Sequence, residues 1–122
     1  MEALKAQAVV ARTYALKLLA SGKKLTDTVS TQVYKDNNEL KKLWGNSYST
    51  YYQKIKEAVT STKGVSVYYQ GNYINALYHS TSNGKTEDAS MVWGNSVPYL
   101  KSVDSKMSIC FRENRIFFLK IV

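Results

Sequence analysis

Two stretches of the chain carry side chains equipped for chemistry. In the first, Glu2, Gln7, Arg12, Thr13 and Tyr14 punctuate a run of small and apolar residues reaching Leu16. A mostly buried helix must satisfy such polar groups inside the protein. In the second, Tyr78, His79, Ser80, Ser82, Lys85 and Thr86 follow a strand-like run, with Gly84 among them. Loops that leave strand ends are a usual place for functional side chains. Each stretch also has a purely structural explanation. Glu2 can be a solvated first-turn glutamate paired with Lys5, three residues on. Gln7 and Arg12 can tie the helix to loop backbone. His79 can be a hydrogen-bonded structural histidine, and the Ser/Thr run an ordinary turn. For Glu2, Gln7 and Arg12, position alone favours the structural explanation.

Several chemistries are excluded. Cys110 is the only cysteine and His79 the only histidine. No intramolecular disulfide, cysteine-based zinc cluster or His-rich metal site can be built; a site of His79 with carboxylates is not excluded. A Ser–His nucleophile is not expected either, because His79 adjoins Ser80 in sequence and no orienting acid is evident. No metal and no cofactor is therefore expected. The chain has 17 Lys+Arg against 9 Asp+Glu, a net charge of +8 and a pI near 9.5. That balance favours polyanionic surroundings: nucleic acid, an anionic membrane or an acidic cell wall. Arg12, Arg112 and Arg115 are the only arginines, so the lysines act as general electrostatics rather than base readout. The ten tyrosines have places in helices and strands, and no nucleic-acid module is present, so nucleic acid is not an expected partner. No signal peptide or membrane span is visible; the apolar end from Ile116 to Val122 is too short to cross a bilayer.

The 122 residues, 44% of them hydrophobic, fit one globular domain, residues 1–122. The expected class is α+β. A long helix runs from about Glu2 to Ser21, closed by Gly22, with Lys23 and Lys24 at its negative end. This helix is apolar all round, which speaks against a membrane-surface role. Thr31 to Tyr34 has brief strand character, Lys35 to Asn38 reads as a turn, and Glu39 to Trp44 as a short helix closed by Gly45-Asn46. Ser47 then caps a second amphipathic helix carrying Tyr51, Ile55, Ala58 and Val59. From Gly64 the pattern becomes β. The runs 65–69 and 73–79 form a hairpin about Gln70-Gly71-Asn72. Glu87 to Val92 is ambiguous, Trp93 to Leu100 is a loop stiffened by Pro98, and Lys101 to Asp104 is a short strand. The first helix should pack on a small, mainly antiparallel sheet.

Taken together, several blocks resemble the sporulation stage II protein D (SpoIID/LytB) family. They are Glu2 to Tyr14, Thr31-Gln32-Val33-Tyr34, Ala58-Val59 through Tyr69-Gln70-Gly71, and Ala76 through Glu87 with Trp93-Gly94 and Pro98-Tyr99-Leu100. The resemblance spans roughly Glu2 to Asp104. Residues 105–122 do not look like the family, and Asn83 stands where a second glycine would be expected. The chain starts one residue before the first block, so the family's upstream membrane anchor is expected to be absent from it.

The resemblance implies a bacterial cell-wall enzyme, extracytoplasmic, at the sporulation septum or wall. Its members are lytic transglycosylases that cut the bond between N-acetylmuramic acid and N-acetylglucosamine in strands stripped of stem peptides, leaving 1,6-anhydro ends. They work during engulfment with a partner amidase and a membrane scaffold protein, and a related branch modifies an autolysin amidase instead. Glu2 is implied as the catalytic acid/base. One carboxyl suffices, because it protonates the leaving oxygen and then takes the proton from the sugar 6-hydroxyl as the anhydro ring closes; no second carboxylate need activate water. A helix start, however, favours the charged form, whereas a general acid needs burial to raise its pKa. The resemblance favours Tyr78, Ser80 and Lys85 as substrate contacts; Arg12, Tyr14, His79, Ser82 and Thr86 are further candidates, since hydroxyl and imidazole groups suit sugar hydroxyls and N-acetyl groups and tyrosine faces suit sugar rings. Two alternatives stand beside catalysis, a non-catalytic glycan-binding or amidase-activating module and an inactive fragment with an incomplete cleft.

Overall fold

The computed structural model describes residues 1–25, 34–79, 84–104 and the strand residues 120–121, with the backbone alone at His79, Lys120 and Ile121. The run of Ala, Leu, Lys and Gln at the start forms α1 (Glu2–Ala20), as its composition dictates. α1 ends where Gly22 enters the left-handed region at φ +75°. There the Gly22 amide donates to the Leu19 carbonyl and the Lys23 amide to the Leu18 carbonyl, which satisfies the last helical carbonyls. Val10 and Thr13 are its buried residues.

α2 (Asn37–Trp44) begins earlier than the sequence reading placed it. Asp36 accepts the amides of Asn38 and Glu39, each at 2.8 Å, and the Glu39 carboxylate accepts the Asp36 amide at 2.8 Å. This reciprocal capping box draws Asn37 and Asn38 into the helix rather than leaving them in a turn. A single 3₁₀ turn, Gly45–Ser47, leads into α3 (Tyr48–Ser61). Ser47 stands at the N-cap position, but its side chain makes no capping bond. The corner is filled by rings instead: Trp44 meets Tyr51 edge-on at 5.8 Å, and Tyr48 stacks on Tyr52 at 5.4 Å.

The hairpin is present but shorter than its sequence runs. β1 (Tyr68–Tyr69) pairs antiparallel with β2 (Asn72–Tyr73), in the register Tyr68 to Tyr73 and Tyr69 to Asn72. The connecting loop is the two residues Gln70 and Gly71, at φ +49° and +78°. Two consecutive positive φ values make the turn that matches strand twist, and Asn72 belongs to the strand. The run 73–79 does not stay in one strand. The Leu77 amide donates back to the Asn75 carbonyl at 2.9 Å, and this tight turn redirects the chain. β3 (Tyr78–His79) therefore leaves the hairpin and pairs antiparallel with β4 (Lys120–Ile121). Among the described residues the strands form two small antiparallel pairs, and α1 packs against α3, β2 and β4.

The 87–92 segment resolves as the start of α4 (Ala89–Trp93), capped by the Asp88 carboxylate, which accepts from the Ser90 amide and hydroxyl. The expected strand at Lys101 to Asp104 is limited to an isolated bridge between Lys85 and Asp104. Among the described residues Val10, Ala58, Ala76, Ala89 and Leu100 are the buried apolar ones, with Thr13 and Thr86 buried as well.

Candidate functional site

Glu2 is the first residue of α1, and its side chain is 87% exposed. The Lys5 ammonium donates to its carboxylate at 3.0 Å. That hydrogen bond, and then the Lys5 charge itself, hold the Glu2 carboxyl below its usual range. In the free protein Glu2 is a carboxylate, the opposite of the raised pKa that an acid catalyst needs.

The next polar residues of α1 face the protein. Arg12 spends its guanidinium on the end of α3: one terminal nitrogen donates to the carbonyls of Thr62 (2.6 Å) and Val65 (2.8 Å), the other to the Val59 carbonyl (3.2 Å) and the Thr62 hydroxyl (3.3 Å). This is the tie between helix and loop backbone that the apolar neighbours of Arg12 called for. Thr13, fully buried, donates to the Val9 carbonyl at 2.7 Å and accepts the Val67 amide at 3.0 Å. Gln7 Oε1 is buried, with no hydrogen-bond partner among the described residues.

Tyr14 and Tyr78, 64 positions apart in sequence, come together. Burial pushes the Tyr78 hydroxyl above its ordinary range, and neighbouring Tyr14 adds to the rise. Beside them lies a cavity of about 240 Å³. Tyr14, Lys17, Leu18 and Ser21 of α1 form one wall; Lys23 and the 75–77 segment leading to β3 form the rest. Sequence reasoning passed over Lys17, Leu18 and Ser21. They stand three, four and seven residues after Tyr14, the spacing that repeats along one helix face, so projecting the helix from Tyr14 would have found them. Lys23 had been assigned only to the helix dipole.

The later loop divides. Lys85 is exposed, with its ammonium 3.8 Å from the Asp104 carboxylate. Thr86 is 98% buried; its hydroxyl accepts the Val103 amide at 2.9 Å and donates to the Lys101 carbonyl at 3.3 Å. It fastens the 84–104 segment to itself and presents nothing outward. His79 is described by its backbone, in register with Lys120, and Ser80 and Ser82 lie outside the described residues. Among the described residues no cluster of His, Cys, Asp and Glu has metal-site geometry, and no helix is long and apolar enough to cross a membrane.

Comparison with known proteins places this geometry in a family. The family model SpoIID, described as Stage II sporulation protein, matches residues 1–69. Those residues hold all of α1, α2 and α3 and the first strand of the hairpin. The chain is 48% identical over 112 residues to Stage II sporulation protein D of Bacillus subtilis (strain 168), covering 85% of this chain and 33% of that protein. It is 44% identical to the protein of the same name from Bacillus amyloliquefaciens, with the same coverage. It is also 41% identical over 100 residues to the Amidase enhancer of Bacillus subtilis (strain 168), covering 82% of this chain and 12% of that protein. The chain thus spans about a third of the length of the stage II relatives it matches. It belongs to the stage II sporulation protein (SpoIID) family.

Proposed function

We propose that this chain engages peptidoglycan glycan strands in the cell-wall remodelling of sporulation, outside the cytoplasm. Its leading activity is lytic cleavage of the N-acetylmuramic acid to N-acetylglucosamine bond, leaving a 1,6-anhydro end, with Glu2 as the single acid/base. The observation that carries this reading is the position of Glu2. It opens the Glu2 to Tyr14 run inside the family match over residues 1–69. Tyr14 and Tyr78 supply ring faces and hydroxyls for the sugars, and Lys85, in the loop after Tyr78, an exposed ammonium.

The charged state of Glu2 sets a condition on this chemistry. A glycan laid over the start of α1 would strip water from the carboxyl and pull it away from Lys5. Both changes raise its pKa toward the range where it can donate a proton to the leaving oxygen. The carboxylate so formed then accepts the 6-hydroxyl proton as the anhydro ring closes.

A second reading has its own support. The exposed Glu2–Lys5 pair is what a surface helix start needs and no more, and one relative carries the name Amidase enhancer. On that reading the chain binds glycan and acts through a cell-wall amidase, with a membrane scaffold as a further partner. Strands stripped of peptide, incubated with this chain and with Glu2→Gln, separate the two. Anhydro ends from the unsubstituted chain alone support cleavage. Equal binding by both chains with no anhydro product supports the amidase role.

A further inference from the structure

α3 leaves an apolar stripe in solvent. Tyr48, Tyr52, Ile55 and Val59 follow one another at spacings of four, three and four, which sets them one above another on a single helix face. Tyr52, Ile55 and Val59 are 38%, 40% and 45% exposed. The helix is anchored elsewhere. Ala58 is its buried residue, Tyr51 meets Trp44 edge-on, and Arg12 holds the carbonyls of Val59 and Thr62 at its end. The stripe is therefore separate from the contacts that fix α3.

The charges beside the stripe have one sign. Lys41 sets its ammonium over the Tyr48 ring, 5.6 Å from the centroid. Lys56 is exposed and stands four residues after Tyr52, on the flank of the stripe. The one acid in the α3 sequence, Glu57, is two residues from both Ile55 and Val59, a spacing that puts it on the far side of the helix. Among the described residues the lysines paired with acids are Lys5, Lys85 and Lys101, so Lys41 and Lys56 are not spent on carboxylates. Tyrosines have an apolar body and a polar tip, and lysine stems lie along apolar surface while their ammonium groups stay in the headgroups. On a chain of net charge +8, this pattern is complementary to an anionic bilayer.

We propose that α3 is a membrane-surface helix. It lays Tyr52, Ile55 and Val59 on the acyl boundary of an anionic bilayer and sets Lys41 and Lys56 on lipid phosphates. A soluble polyanion would meet the lysines and leave the stripe in water. A neutral sugar would leave the lysines without a counter-charge. One short helix buries little area, so the contact is weak and reversible, and it orients the domain on the membrane rather than anchoring it. The inference goes beyond the glycan reading and does not need Glu2.

The test sediments the chain with vesicles of phosphatidylcholine alone, or of phosphatidylcholine and phosphatidylglycerol in equal parts. The anionic vesicles should bind about tenfold more strongly, and salt at about 0.5 M should remove most of that difference. Ile55→Ser with Val59→Ser should weaken binding by about tenfold, and Lys41→Gln with Lys56→Gln by a similar factor. Lys23→Gln with Lys24→Gln removes the same net charge at the end of α1 and should cost roughly threefold at most. All six residues are exposed, and a cooperative unfolding curve for each variant confirms its fold. Equal losses from the two lysine pairs would assign binding to net charge and overturn the proposal. Full binding by the serine variant, or no binding to either vesicle, would also overturn it. So would a chain that is dimeric without lipid and becomes monomeric in the serine variant, because a second copy would then cover the stripe.

Discussion

A carboxyl group proposed as an acid is held in its charged form by a neighbour one helical turn away. Lys5 sets that state through a hydrogen bond and its charge, and solvent screens the pair because Glu2 is exposed. The sign for stability follows from linkage. A carboxylate with a lowered folded pKa adds stability above its unfolded pKa, and that stability is lost as pH falls through the folded value. For Glu2 the contribution is present at neutral pH, and its loss is confined to acid pH. Lys5→Met should bring the Glu2 titration up toward its unperturbed value of 4.5, followed by carboxyl NMR against pH. An unchanged midpoint would show that Lys5 does not set the charge of Glu2. The pairing itself could be read from sequence, since residues three apart share a helix face. The commitment of Arg12 to three carbonyls could be anticipated only as a need for partners. Their identity depended on where α3 ended.

At the scale of elements, the local signals worked where the chemistry was local. Gly22 and Gly71 act on their near neighbours; the Asp36 to Glu39 box is just as local, yet the sequence reading leaves Asp36 in a turn and starts that helix at Glu39. The hairpin loop is the clearest case, yet it is not optimal. Gln70 occupies the left-handed region at φ +49°, where a glutamine has no side-chain compensation and asparagine is favoured. Gln70→Asn should stabilise the chain by about 0.5 kcal/mol, measured by urea denaturation. A loss of stability would argue that the side chain of Gln70 is needed elsewhere. The splitting of the run 73–79 between two pairs was not legible. Alternation predicts a strand but not its partner, and a turn at Asn75 to Leu77 leaves no mark in the pattern.

Across the whole molecule, α1 is joined to the 59–67 region by a polar seam as well as by apolar contact. Arg12 reaches the carbonyls of Val59, Thr62 and Val65, and Thr13 takes the Val67 amide. Among the described residues most of the buried apolar side chains are small, so that seam carries weight. Arg12→Met keeps the stem and removes the donors, leaving the half-buried Thr62 carbonyl unpaired while the exposed Val59 and Val65 carbonyls turn to water. It should cost roughly 1–2 kcal/mol in chemical denaturation, with the far-UV signal of α1 retained in the folded state. A cost below about 0.5 kcal/mol would place Arg12 among ordinary surface residues.

The sequence by itself determined the long first helix, the α+β class, the hairpin, and the family to which the Glu2 to Tyr14 run belongs. These follow from propensity, periodicity and short motifs, all of which act over a few residues. The tertiary structure decided which polar residues of that helix face inward, that Tyr14 meets Tyr78, that Thr86 fastens its own loop, and that Lys17 and Lys23 share a cavity. Those facts depend on where chain segments far apart in sequence dock. Burial and charge pairing are set by that docking, and no local pattern encodes it.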